Sequence, residues 1–133
     1  MRVFLDTNVL IAAFAARGLC ADVFRLAATD HTLLIGAPVL VEMRRILETK
    51  LRMPAPARNE VLQVLHRFEQ VPAAKAPLAL GIDDPDDDWV VACAAAASAD
   101  VFVTGDKALL GLHRVGQLPI VSPREFWLQL TAE

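Results

Sequence analysis

Arg2-Val3-Phe4-Leu5-Asp6-Thr7-Asn8-Val9-Leu10 opens the chain with a short apolar run closed by an aspartate. A run this short without polar alternation reads as a strand buried on both faces. Thr7 and Asn8 then offer helix-capping side chains, and residues 9–16 have helical composition up to Gly18. A doubly buried strand that hands over to a helix is the repeating unit of a parallel sheet.

The same alternation recurs outward from that start. Residues 21–28 have helical spacing, and Thr32-Leu33-Leu34-Ile35 is a second buried strand ended by Gly36. Pro38 suits the first turn of a helix reaching about Lys50, with an apolar stripe at Val39, Met43, Ile46 and Leu47. Prolines 54 and 56 break the chain before a helix over 59–68, and an edge strand is expected around Val71-Pro72-Ala73. After a loop over 77–82, an aspartate run starts a helix that ends near Ala97. Val101-Phe102-Val103 is a strand, Thr104-Gly105-Asp106 a turn, and Lys107 to Leu110 a short helix. Pro119-Ile120-Val121 is the last strand, and Ser122-Pro123-Arg124-Glu125 spells a capping box for the final helix. The expected fold is α/β: a three-layer α/β/α sandwich around a central, mainly parallel five-stranded sheet, forming a single domain over 1–133. Right-handed crossovers place every parallel strand's C-terminal end on one sheet edge, where open α/β sheets bind ligands.

The 133 residues suit one core, and an apolar content of 55% with 22% charged residues excludes a disordered chain. The longest near-unbroken apolar run, residues 89–99, is shorter than the roughly 20 residues of a membrane span. No membrane association is expected. An aspartate at position 6 breaks any signal-peptide core, so the expected location is cytoplasmic. Cys20 and Cys93 sit among apolar residues and read as small core hydrophobes. The net charge of −3 and pI near 5.6 are not the footprint of bulk electrostatic nucleic-acid binding. Any nucleic-acid chemistry must therefore come from local arrangement.

Four acids fall at or just beyond the ligand-binding edge: Asp6, Glu42, Asp88 and Asp106. Each has a plainer explanation. Asp6 can cap the next helix, Glu42 can reach water from the border of an apolar stripe, and Asp106 can cap a short helix. Asp88 belongs to five aspartates in positions 83–88, where an over-capped helix start is the alternative. Capping accounts for one or two of those aspartates, since like charges this close repel unless a cation or solvent screens them. Carboxylates without histidine or cysteine partners suit hard cations such as Mg2+ or Mn2+. His31, His66 and His113 share no ligand spacing, and no glycine-rich phosphate loop is present.

Phe4 to Leu10, Pro38-Val39-Leu40-Val41-Glu42, Asp84-Pro85-Asp86-Asp87-Asp88 and Val103-Thr104-Gly105-Asp106 together resemble the PIN-domain ribonucleases, especially the toxins of bacterial toxin–antitoxin pairs. The resemblance implies that Asp6, Glu42 and Asp88 are the core catalytic and metal-holding acids, with Asp106 the more variable fourth. It leaves Asp84 and Asp87 open as contributors. Thr7, Asn8 and Thr104 correspond to supporting polar residues. The implied reaction is hydrolysis of RNA with one or two Mg2+ or Mn2+ ions, about 4 Å apart when both are bound. It also implies a small antitoxin partner and a homodimer or higher oligomer. Arg44, Arg45, Lys50, Arg52 and Lys107 are candidate contacts to an RNA backbone, with a solvated helix face as the alternative for the basic cluster over 44–58. Two other readings stand beside this one. One is a PIN-like scaffold that binds RNA or protein without cutting. The other is an aspartate-based phosphotransfer domain, which lacks a second acid where Asn8 stands.

Overall fold

The computed structural model describes residues 1–132; Glu133, the end of the expected single domain, lies outside the described residues. In chain order the elements are β1 (Arg2–Leu5), α1 (Thr7–Ala15), α2 (Leu19–Asp30), β2 (Thr32–Gly36), α3 (Ala37–Thr49), α4 (Ala55–Leu65) and β3 (Glu69–Val71). They continue as α5 (Pro85–Ala96), β4 (Val101–Val103), α6 (Lys107–Leu110), β5 (Arg114–Val115), β6 (Leu118–Val121) and α7 (Pro123–Leu130).

The sheet runs β3-β2-β1-β4-β6-β5. β1 pairs in parallel with β2 and with β4, as Phe4 opposite Leu34 and opposite Phe102. Crossovers from β1 to β2 to β3 step one way along the sheet, and those from β3 to β4 to β6 step back, so right-handed connections put helices on both faces. Strand order reverses between β1 and β4, the place where an open sheet leaves a crevice.

Burial explains why the strands read so clearly. Val3, Phe4 and Leu5, then Leu33 to Ile35, then Val101 to Val103 are all buried, because both faces of these strands meet helices. Phe4 stacks on Phe102 across the β1–β4 pair, with ring centroids 5.3 Å apart. Cys93 is buried in this core, and Cys20 is partly buried against it.

Three elements differ from the sequence expectation. The sheet has six strands rather than five: β5 is a two-residue strand antiparallel to β6, joined through Gly116 at φ 58 and Gln117. α4 begins at Ala55, earlier than expected, because Pro56 sits in its first turn, where the missing N–H has no helical partner to lose. The edge strand β3 ends at Val71 rather than spanning Pro72. No helix among the described residues is long and apolar enough to cross a membrane.

Candidate active site

At the crevice between β1 and β4, the chain leaves β1 through Asp6. Asp6 is the N-cap of α1, a role the sequence left open to it while favouring Thr7 and Asn8. One carboxylate oxygen of Asp6 accepts from the Thr7 backbone N–H at 2.9 Å. The other accepts from the Thr104 hydroxyl at 2.8 Å and the Asn8 amide at 3.1 Å. The same side chain therefore both caps the helix and faces the crevice. Burial pushes its pKa up, the Thr104 hydroxyl and the Thr7 N–H pull it back in part, and Glu42 and Asp106 push it up further.

Asn8 and Thr104 form a polar bracket around this carboxylate. The Asn8 carbonyl accepts from the Gly105 N–H at 2.8 Å, and the Thr104 hydroxyl accepts from the Asp106 N–H at 3.0 Å. The ends of β1, β4 and β6 are tied behind them. Asp6 N–H donates to Val103 C=O, and Thr104 N–H donates to Val121 C=O. The turn over 104–106 is thus held on both sides, and Asp106 caps α6 through the Ala108 N–H at 2.9 Å.

Asp6, Glu42 and Asp106 line one cleft of about 430 Å³, together with Asn8, Asp84, Asp86 and Asp87. Asp88, expected as the third core acid, does not reach it. Its side chain turns the other way and accepts from the Leu80 N–H at 3.2 Å, while its carbonyl accepts from the Leu78 N–H. Asp88 is a strut for the loop before α5. Asp87 takes the place in the cleft, and Asp84 is the N-cap of α5, accepting from the Asp86 N–H at 2.9 Å.

The reason is helix phase. Neighbouring helical residues point about 100° apart. Asp87 lies three residues before Val90, which also lines the cleft. Asp88 lies on the side of Ala92 and Ala95, which line a separate open hollow with Pro72, Lys75 and Leu78. Five consecutive residues of α5, Val90 to Ala94, are buried, so the helix has no polar stripe from which the phase could be read. No signal in residue type separates Asp87 from Asp88, since the alanines of α5 fall on several of its sides.

Asp87 is pushed up to about 7, first by burial and then by Asp106, Asp84, Asp6 and Glu42. Carboxylates from β1, α3, α5 and the β4 turn therefore repel one another across one cleft. Among the described residues, no three His, Cys, Asp or Glu side chains stand already arranged around a single ion position. The donor set fits a hard cation by its chemistry. It is all oxygen, and its mutual repulsion is what a divalent ion would relieve.

The candidate RNA contacts divide. Lys50 lines the carboxylate cleft, alongside Ile11, Ile46 and Leu51. Arg45 lines a neighbouring groove. Arg44 faces a different hollow with Arg58 and Glu48. Arg52, at φ 48, and Lys107 line neither the cleft nor that groove. The basic cluster is not a single surface, because the residues fall on different sides of α3 and the turn that follows it.

The fold resembles VapBC2 from Rickettsia felis bound to a DNA fragment from their promoter, with a TM-score of 0.68 at 20% identity over 92% of this chain and 98% of that one. It also resembles FitAcB from Neisseria gonorrhoeae, with a TM-score of 0.56 at 18% identity over the same shares of the two chains. Among curated proteins none matches. The PIN domain family profile matches residues 2–108, the stretch that carries the bracketed Asp6, the cleft face of α5 and the turn to Asp106, and the chain belongs to the PIN domain family.

Proposed function

We propose that this protein is a divalent-metal-dependent endoribonuclease and the toxin of a toxin–antitoxin pair. The observation that carries the reading is the gathering of Asp6, Glu42, Asp87 and Asp106 in one cleft at the strand-order reversal. These four side chains, with Asp84 at the rim, are the oxygens that would hold Mg2+ or Mn2+. When bound, such an ion supplies neutralising charge for the scissile phosphate and acidifies water for attack on phosphorus.

The chain's own residues do the positioning. Thr7, Asn8 and Thr104 fix both oxygens of Asp6, so this carboxylate presents one orientation to the cleft. That preorganisation avoids reordering cost when substrate arrives. Lys50, on the cleft wall, is placed to meet a phosphate beside the acids. The expected products carry a 5′-phosphate and a 3′-hydroxyl.

The names VapBC2 and FitAcB belong to two-component pairs, and this favours a small protein antitoxin as partner. A self-associated toxin is part of the same reading.

Cleavage of mixed RNA tests the nuclease reading. Activity should require Mg2+ or Mn2+ and stop with chelator. Asp87→Asn should lower the rate by about 100-fold or more, the scale on which removal of one key electrostatic group acts. Asp88→Asn should keep most of the activity. Metal-independent cutting, or loss in Asp88→Asn with an active Asp87→Asn, would contradict the assignment.

A further inference from the structure

A second groove, of about 370 Å³, runs between the first turns of α3 and α5. It shares Glu42, Asp86 and Val90 with the carboxylate cleft, so the two hollows adjoin. Its walls are Pro38, Val41, Arg45 and Trp89. Trp89 is 41% exposed and Val41 is 69% exposed. An indole left open to solvent immediately after a run of aspartates has no structural task that explains it. The core packs without it, and the large buried side chains of α5 lie on its other sides.

We propose that this groove is a nucleobase subsite, in which a base of single-stranded RNA stacks on Trp89 while Arg45 holds an adjoining phosphate. The inference rests on the nuclease reading, in which an RNA strand crosses the carboxylate cleft. A nucleotide is the occupant whose chemistry matches both the indole and the guanidinium. Its base has a flat π-face for the indole, worth a sizeable share of single-strand affinity. Its phosphate matches the guanidinium, which is the only cation on the groove's lining. Adjacency to the cleft puts the next phosphate of the strand near the acids. A second copy of the chain is a poorer match, because interface cores are depleted of charge and this groove carries Arg45, Glu42 and Asp86.

Trp89 reports its own occupancy. The chain has two tryptophans, so Trp127→Phe leaves Trp89 as the sole indole. In an Asp87→Asn, Trp127→Phe background with Mg2+, a six-nucleotide oligoadenylate should quench Trp89 emission. An abasic phosphodiester of equal length should not, and should bind about tenfold more weakly. Trp89→Ala should weaken oligoadenylate binding, read by anisotropy, by a similar factor. Trp89→Phe should restore most of it, with unchanged circular dichroism in both variants.

Equal binding of the abasic strand would overturn the proposal. So would emission that ignores RNA, or emission that shifts with protein concentration as sedimentation reports a second copy over the groove. The two readings separate cleanly. Base-dependent binding at Trp89 in a protein that cuts no RNA removes the nuclease reading alone. RNA cleavage by the wild type with a silent Trp89 removes the base subsite alone.

Discussion

Asp87 carries a proton at pH values where an isolated carboxyl has lost it, because it is pushed up to about 7 from 3.8. Between those values the folded protein holds a proton that the unfolded chain has released, so rising pH favours unfolding through this group. The metal-free protein therefore loses this part of its stability as pH climbs from about 4 to about 7, and does not regain it above. Asp87→Asn removes the titration. In chelator, its Tm should match wild type near about pH 4 and exceed it near about pH 8, as read by thermal denaturation. The same offset at both pH values would contradict the crowding of acids around Asp87. Asp6 differs in kind, since both its oxygens already accept hydrogen bonds, from Thr7, Asn8 and Thr104. An amide there would set its NH2 against the Asn8 or Thr104 donors, so Asp6→Asn perturbs the bracket as well as the charge. Residue by residue, the candidate site was largely legible. A carboxylate closing a doubly buried strand, with Thr and Asn after it, could be recognised without coordinates, and so could the Thr104-Gly105-Asp106 turn. The choice between Asp87 and Asp88 was not legible, because they differ by one helical step on a helix buried across five successive residues.

Among the elements, the join of β2 to α3 is the most tightly constrained. A Cβ at Gly36 would sit 2.7 Å from the Phe4 ring and 3.1 Å from the Cys93 sulfur, so the sheet, its central aromatic stack and α5 leave no room for it. Gly36→Ala should cost about 1–3 kcal/mol in chemical denaturation, as overpacking does. Phe4→Leu in the same chain should recover part of that loss, giving a favourable coupling in a double-mutant cycle. Additive losses would place the strain elsewhere. Because α3 presents Glu42 to the cleft, repacking at Gly36 should also be felt at the site. Strand and helix boundaries followed the sequence where burial was one-sided or complete, as in β1, β2 and the capping box of α7. They departed from it in β5, whose two residues exist only because Gly116 turns the chain back onto β6.

For the molecule as a whole, a net charge of −3 concentrates its consequence in one cleft, where Asp6, Glu42, Asp84, Asp86, Asp87 and Asp106 meet a single lysine, Lys50. A cation that binds there only in the folded state raises stability by mass action, about 2.7 kcal/mol at a hundredfold excess over its Kd. Titration with Mg2+ or Mn2+ should raise Tm, and chelator should reverse it. Asp87→Asn should blunt the rise and Asp88→Asn should leave it intact; an unchanged Tm in the wild type would remove the metal reading. By itself the sequence determined the α/β alternation, the parallel sheet and which strand ends carry acids, because two-face burial and helix punctuation are local properties written in residue type. Only the tertiary structure decided which aspartate of the run faces the cleft, that Asp6 caps as well as faces it, and that Arg45 and Lys50 part company with Arg44, Arg52 and Lys107. Those outcomes depend on helix rotation against packed neighbours, and rotation is set by contacts between stretches distant in the chain.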